Sequence, residues 1–207
     1  MCGKTAWGLA PSQLWEGASL IYGHHSSQSK AAGFCILNSV SIGANYLLRK
    51  YKYKKVAIVD FDVHHGNGTQ EIFYKDETVL YASSHEFPLF PGTGSEQETG
   101  VGNIFNAPLK TGMKSKEFLK IFDQKILRPI DKYKPEIILI SAGFDAHARD
   151  PLANINLESE DFFEVTKRIV DLANIHSKGR VISFLEGGYD LQALSESIKH
   201  HLLALKK

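Results

Sequence analysis

A chain of 207 residues, 43% hydrophobic and 23% charged, has the composition of an ordinary globular protein with enough length to bury one large core or two small ones. Its formal net charge of +1 gives no sign of a polyanion-binding or membrane-binding surface, so neither a direct nucleic-acid partner nor a membrane is expected. The two cysteines, Cys2 and Cys35, are too few for a disulfide framework or a cysteine-rich metal site; with no signal peptide and no bilayer-length apolar run, the expected compartment is the cytoplasm.

Met1–Ser19 carries Trp7, Pro11 and Trp15 without periodicity and receives no assignment. A brief apolar piece, Leu20–Tyr22, leads to Gly23-His24-His25 and the polar loop Ser26–Lys30. A histidine pair in a loop is by itself more often solvent-exposed than functional. After Ala31-Ala32-Gly33-Phe34-Cys35, the spacing of Ile36, Val40, Ala44, Leu47 and Leu48 predicts a helix ending near Lys50.

The central stretch is Lys55–Gln70, KVAIVDFDVHHGNGTQ. Val56–Val59 is apolar without alternation, as a strand buried on both faces of a parallel sheet requires. Asp60, Asp62 and His64 follow at alternate positions, so an extended backbone would send all three side chains from one face. Carboxylates and an imidazole at the mouth of an apolar strand are costly to desolvate unless a cationic or hydrogen-bonding group meets them, and a divalent metal is the simplest such group. A D-x-D after a strand also serves Mg²⁺-dependent phosphatases and plain surface turns, but the added imidazole favours a borderline metal such as zinc over Mg²⁺. His65 supplies a second imidazole, and Gly66-Asn67-Gly68 turns into a short helix predicted from Thr69 to Tyr74.

Thr78–Ala82 reads as another buried strand, ending in Ser83-Ser84-His85. The loop Glu86–Gly102, with Phe87, Pro88, Phe90 and Pro91, suits a pocket rim; its Gly92-Thr93-Gly94 lacks the spacing and the lysine of a phosphate loop. A strand near Asn103–Ala107 and a helix over Ser115–Leu127 come next. The segment Pro135-Glu136-Ile137-Ile138-Leu139-Ile140-Ser141-Ala142-Gly143-Phe144-Asp145 again reads as a buried apolar strand that ends in an acid. Ligands of open parallel sheets gather at the C-terminal strand ends, which places Asp145 at the same crevice as Asp62 and His64, although a helix cap is the plainer reading of Asp145 alone. Glu158–His176 is helical in pattern, Val181–Leu185 is a strand, and Glu186-Gly187-Gly188-Tyr189-Asp190 brings Tyr189 to its mouth before a last helix, Leu191–Leu205. His200 and His201 on that helix are expected at the surface. Strands alternating with helices, without repeat or linker, predict one α/β domain over 1–207: a three-layer structure with a mostly parallel sheet flanked by helices.

Four segments in order, G-H-H with G-F-C, D-F-D-V-H-H-G-N-G-T, S-A-G-F-D and E-G-G-Y-D, resemble the histone deacetylase family, nearest its class II and bacterial acetylpolyamine amidohydrolase branch. The resemblance covers the chain from Gly23 onward. It implies an arginase/deacetylase-like fold and a zinc-dependent hydrolase that removes acetyl groups from lysine or polyamine-type amines. Matching motif positions imply Asp62, His64 and Asp145 as Zn²⁺ ligands, His25 as general base, and His24 as its electrostatic companion. Asp60 would hold the His24 ring, Asn67 would orient His25, and Tyr189 would donate to the carbonyl oxygen. Gly33, Phe34, Phe90, Gly187 and Gly188 would line the substrate channel, and a structural K⁺ would lie near Asp60, Asp62, His64, Ser83 and Ser84.

The chain departs from that pattern at its front. It reaches His24 almost at once, Leu20-Ile21-Tyr22 stands where family members carry an arginine-proline run, and no acidic substrate clamp is evident. The family's N-terminal strands are therefore expected to be missing, leaving an open sheet edge, lower stability, and room for a homo-oligomer or a completing chain. Two rivals remain: a non-catalytic remnant that binds acyl-amines or a partner, and a Mg²⁺-dependent phosphatase with Asp60 as nucleophile, which would leave His24, His25 and Tyr189 idle.

Overall fold

Among the described residues, Val56–Asp60 forms β1, the middle of a five-stranded, wholly parallel sheet. The structure, a computed structural model, describes residues 23–206, so the readings for Met1–Ser19 and Leu20–Tyr22 lie outside the described residues. Before β1 comes α1 (Ser39–Lys50), and after it follow α2 (Asn67–Phe73), β2 (Val79–Glu86), β3 (Ile104–Leu109), α3 (Ser115–Ile121) and α4 (Arg128–Tyr133). The chain continues through β4 (Ile137–Ala142), α5 (Ser159–His176), β5 (Val181–Leu185) and α6 (Leu191–Leu205). The strand order is β3-β2-β1-β4-β5. The chain thus winds outward from β1 in one direction, then returns to β4 on its other side, which makes the β1/β4 boundary the topological switch point where ligands of such sheets bind.

The two-residue side-chain period of a strand splits the apolar run of β1 between two cores. Ala57 and Val59 join Ile138, Ile140, Phe122, Phe162 and Ile169, under α3, α4, α5 and α6. Val56 and Ile58 join Val40, Ala44, Phe73 and Leu139, under α1 and α2. Each buried Ile, Val or Phe contributes about 1.5–3 kcal/mol to holding the three layers together. Helix starts are fixed locally: Asn38 accepts from Ser41 N and caps α1, Glu158 and Asp161 cap α5 reciprocally, and Asp190 accepts from Ala193 N at 2.7 Å to cap α6.

Several expected boundaries move. The predicted 115–127 helix continues through a π-helical turn at Phe122–Leu127 into α4. β2 runs on through Ser83-Ser84-His85 to Glu86, because these residues stay in parallel register with Asn106–Leu109 of β3; inside, Ser83 Oγ meets His85 Nδ1 at 2.9 Å, and the Glu86 carboxylate oxygens meet Thr111 Oγ1 and Asn154 N. His201 is not at the surface. It is buried on the inner side of α6, with Nδ1 2.6 Å from Thr166 Oγ1 and Nε2 2.9 Å from Ser183 Oγ, between the rings of Phe61 and Phe144. His200 keeps a partly exposed side chain, 3.9 Å from Glu160.

Among the described residues β5 has one strand neighbour, β4, and Leu185 at its end is 56% exposed. No helix among them is long and apolar enough to cross a membrane.

Candidate functional site

The strand geometry expected of Asp60, Asp62 and His64 does not hold. β1 stops at Asp60, and the chain then bends: Asp62 N donates to Asp60 Oδ1 at 3.2 Å, and His64 N donates to Asp62 Oδ1 at 2.9 Å. These side-chain turns separate the two carboxylates. Asp60 faces the histidine pair, whereas Asp62 and His64 turn toward Asp145, brought in from the end of β4.

One ligand atom from each of Asp62, His64 and Asp145 lies within 4.8 Å of the others. His64 Nδ1 is 3.2 Å from Asp62 Oδ1 and 3.0 Å from Asp145 Oδ2. The remaining oxygens are held by backbone: Asp62 Oδ2 accepts from Gly187 N at 2.8 Å, and Asp145 Oδ1 accepts from Val63 N at 2.9 Å. Such outer bonds orient metal ligands. Burial and the Asp62 charge push the Asp145 carboxyl up to about 7. For Asp62 burial works in the same upward direction, but His24 and the hydrogen bonds from His64 outweigh it and hold the carboxyl low. His64 is raised to about 10 against its burial by hydrogen bonds to Asp145 and Asp62. Two buried carboxylates and one imidazole converging on one point fit a divalent borderline metal.

The histidine pair stands beside this triad. His24 Nδ1 lies 2.8 Å from Asp60 Oδ2, which also accepts from Tyr81 Oη at 2.8 Å. His25 Nδ1 lies 2.8 Å from Asn67 Oδ1, and the two Nε2 atoms are 3.2 Å apart. Burial opposes charge on His24, but Asp60 and Asp62 overcome it and raise the group well above its ordinary value. Burial and the neighbouring His24 charge lower His25 to about 3. The pair therefore divides at neutral pH into a charged His24 and a neutral His25, whose Nδ1–H donates to Asn67.

Gly33 sits at φ +53°, and a Cβ there would overlap the His25 ring. Phe34 is 65% exposed. The Phe90 ring approaches His25 edge-on at 5.1 Å and His64 at 6.4 Å between centroids. Gly187 packs so closely that a Cβ would strike the Asp145 and Asp62 carboxylates, and Gly188 adopts φ +142°. Burial and the charges of Asp62 and Asp145 raise the Tyr189 phenol above its ordinary value, which keeps it a donor. Ser83 is in register with Asp60 across β1 and β2, and the Ser84 hydroxyl is buried without a partner. His65 goes elsewhere: it meets Thr93 and Gln70, and its ring lies tilted against that of His85. A surface cavity of about 660 Å³ shares Asn67 with the His25 bond, and no member of the triad lines it.

Glu186 also belongs to the site, beyond the residues that the motif positions imply. It accepts from His24 N at 3.0 Å and from Ser141 Oγ at 2.9 Å, and burial pushes it up to about 7. Its position at the end of an apolar strand is the signal that also marks Asp60 and Asp145.

Comparison with known proteins identifies the family. Residues 12–205 match the histone deacetylase domain. The chain is 41% identical over 174 residues to a probable deacetylase of Archaeoglobus fulgidus, covering 82% of this chain and 48% of that protein. It is 40% identical over 206 residues to human histone deacetylase 9, covering 91% of this chain and 20% of the relative. The crystal structure of the HDA15 HD domain superposes with a TM-score of 0.83 at 36% identity, over 89% of this chain and 53% of that one. The chain thus spans about half or less of the proteins it matches here. With the family model extending over nearly its whole length and the fold shared, this chain belongs to the histone deacetylase domain family.

Proposed function

We propose that the chain carries the centre of a zinc-dependent amidohydrolase that removes acetyl or other acyl groups from lysine or polyamine-type amines. The observation that carries this reading is the meeting of Asp62, His64 and Asp145 beside the His24–His25 pair and the Tyr189 turn. Asp62, His64 and Asp145 would hold the ion, and zinc, when bound, acidifies water and polarises an amide carbonyl. His25 is neutral at pH 7, the form a base needs. It takes the proton of the attacking water and returns it to the departing amine, while Asn67 fixes its tautomer. His24 stays charged against Asp60 and offsets the negative charge that builds on the substrate. Tyr189 remains protonated and donates to the carbonyl oxygen as that charge develops. Gly33, Phe34, Phe90, Gly187 and Gly188 are the walls along which an acylated aminoalkyl arm enters. A K⁺ near Asp60, Asp62, His64, Ser83 and Ser84 is part of the same reading, supported by the unpartnered Ser84 hydroxyl.

A phosphatase using Asp60 as nucleophile fits poorly, because Asp60 is fully buried and bound by His24 and Tyr81. The deciding experiment supplies zinc to the purified chain and compares an acetyl-lysine peptide, an acetylated polyamine and a phosphate ester. Release of acetate from either amide is the expected result. Tight binding of the amides without turnover would make the chain a binding module, and phosphate release alone would overturn the assignment.

A further inference from the structure

Tyr189 stands on an irregular turn, Glu186-Gly187-Gly188-Tyr189, between β5 and α6. Gly188 at φ +142° gives that turn a backbone conformation that other residues rarely adopt, so its course has to be fixed by bonds to neighbouring loops. Gly187 is fixed twice: its N–H donates to Asp62 Oδ2 and its carbonyl accepts from Phe144 N, both at 2.8 Å. Beyond the Gly188 pivot the hold comes from Asp150, whose Oδ2 accepts from Tyr189 N at 2.8 Å. Asp190, next in the chain, is committed to Ala193 N as the cap of α6.

Asp150 is well placed to do this. It is 7% exposed, and its other oxygen accepts from Leu152 N at 2.9 Å. Its own N–H donates to the carbonyl of His147 at 2.9 Å. That bond closes a tight turn five residues after Asp145, within the connection from β4 to α5. One connection thus carries a candidate ligand and the carboxylate that grips the backbone of the phenol-bearing residue. A buried carboxylate accepting two backbone N–H groups makes stronger bonds than a neutral acceptor would.

We propose that Asp150 is a positioning residue for Tyr189, setting the distance between its hydroxyl and the Asp62–His64–Asp145 triad by fixing the Tyr189 amide. The inference rests on the deacylation reading for its kinetic consequence, but not for its structural one. Without Asp150 the Tyr189 N–H loses its partner, and the residue is free to turn about Gly188.

The test uses the full chain with zinc supplied, as wild type, Asp150→Ala, Asp150→Asn, Tyr189→Phe and the double variant Asp150→Ala/Tyr189→Phe. Hydrogen–deuterium exchange read by NMR should show the Tyr189 amide exchanging about tenfold faster in Asp150→Ala, with β4 and α6 amides unchanged, as for the loss of one hydrogen bond. On an acetyl-lysine peptide, Asp150→Ala should lower kcat about tenfold with KM within about twofold, and should cost less than about twofold in the Tyr189→Phe background. Asp150→Asn, which keeps the size and one acceptor oxygen, should fall between wild type and Asp150→Ala.

Unchanged exchange at Tyr189 would overturn the proposal. So would an equal kinetic loss in both backgrounds, or a loss of protection spread through β4 in both Asp150 variants, because each marks a role that does not pass through Tyr189. Absence of turnover in the wild type would defeat the deacylation reading, and the exchange result alone would then decide the role of Asp150.

Discussion

His201 offers the sharpest test of how the helical layer is locked to the sheet. It is buried, bonded to Thr166 Oγ1 and Ser183 Oγ, and burial holds it down to about 4. Thr166 Oγ1 donates to Phe162 O, so it accepts from Nδ1–H of His201, and Nε2 accepts from Ser183. That arrangement needs a neutral ring. In the unfolded chain the ring takes up its proton near pH 6.5. The unfolded state therefore binds more protons between the two values, and stability is full above about pH 6.5 and is lost as pH falls toward about 4. For this one group, lowering the pH from about 7.5 to 5 removes about 2 kcal/mol. The assay is urea unfolding of wild type and His201→Gln at both pH values. His25, His65 and His85 are also lowered by burial, but they are present in both proteins and cancel in the difference. The variant should lose about 2 kcal/mol less than wild type across that interval. Parallel pH dependence in the two proteins would refute the assignment of a neutral, locked His201.

Other expectations concern the site. Tyr189→Phe should lower kcat by about 10² to 10³, the effect of removing one donor to a developing oxyanion, with the zinc content unchanged by metal analysis. Asp145→Ala should abolish stoichiometric zinc; in wild type, free zinc at about 100 times its dissociation constant should raise stability by about 2.7 kcal/mol, a rise the variant should lack in a thermal melt. Gly33→Ala places a methyl group against the His25 ring at a positive φ, so it should reduce turnover at least about tenfold while zinc stays bound, and wild-type kinetics would show that the contact yields.

The alternation of apolar runs and helical patterns was enough to read the parallel sheet, and the acids at the run ends pointed to the crevice. What the pattern could not carry was the path of the backbone after β1. A strict two-residue period puts Asp60, Asp62 and His64 together, but side-chain turns from Asp60 and Asp62 end the strand and send Asp60 to a different partner. β2 outruns the apolar run Thr78–Ala82 for a related reason: Ser83, Ser84 and His85 are polar, and only their register with β3 shows that the strand continues. His201 was legible in hindsight: Ala193, Ser197, His201 and Ala204 recur at helical spacing along the buried side of α6, whereas the adjacent Lys199 and His200 suggest a polar surface.

The crevice gathers more acid than its neighbours balance. Asp60, Asp145 and Glu186 are buried and raised, the last two to about 7, and only Asp62 is held low. Each comes from a different place in the sheet: Asp60 from the end of β1, Asp145 from the loop after β4, Glu186 from the end of β5. A fold seeking stability alone would replace some of these groups with apolar ones, because buried charge costs more than its pairing returns. The sheet instead brings them together where its strand order reverses, and assigns them different partners: Asp60 and Glu186 grip His24 from ring and backbone, while Asp62 and Asp145 turn to His64. That division makes sense if the first pair supports a charged imidazole and the second awaits a cation. Both serve the amide hydrolysis proposed for this site, and neither is a requirement of holding three layers together.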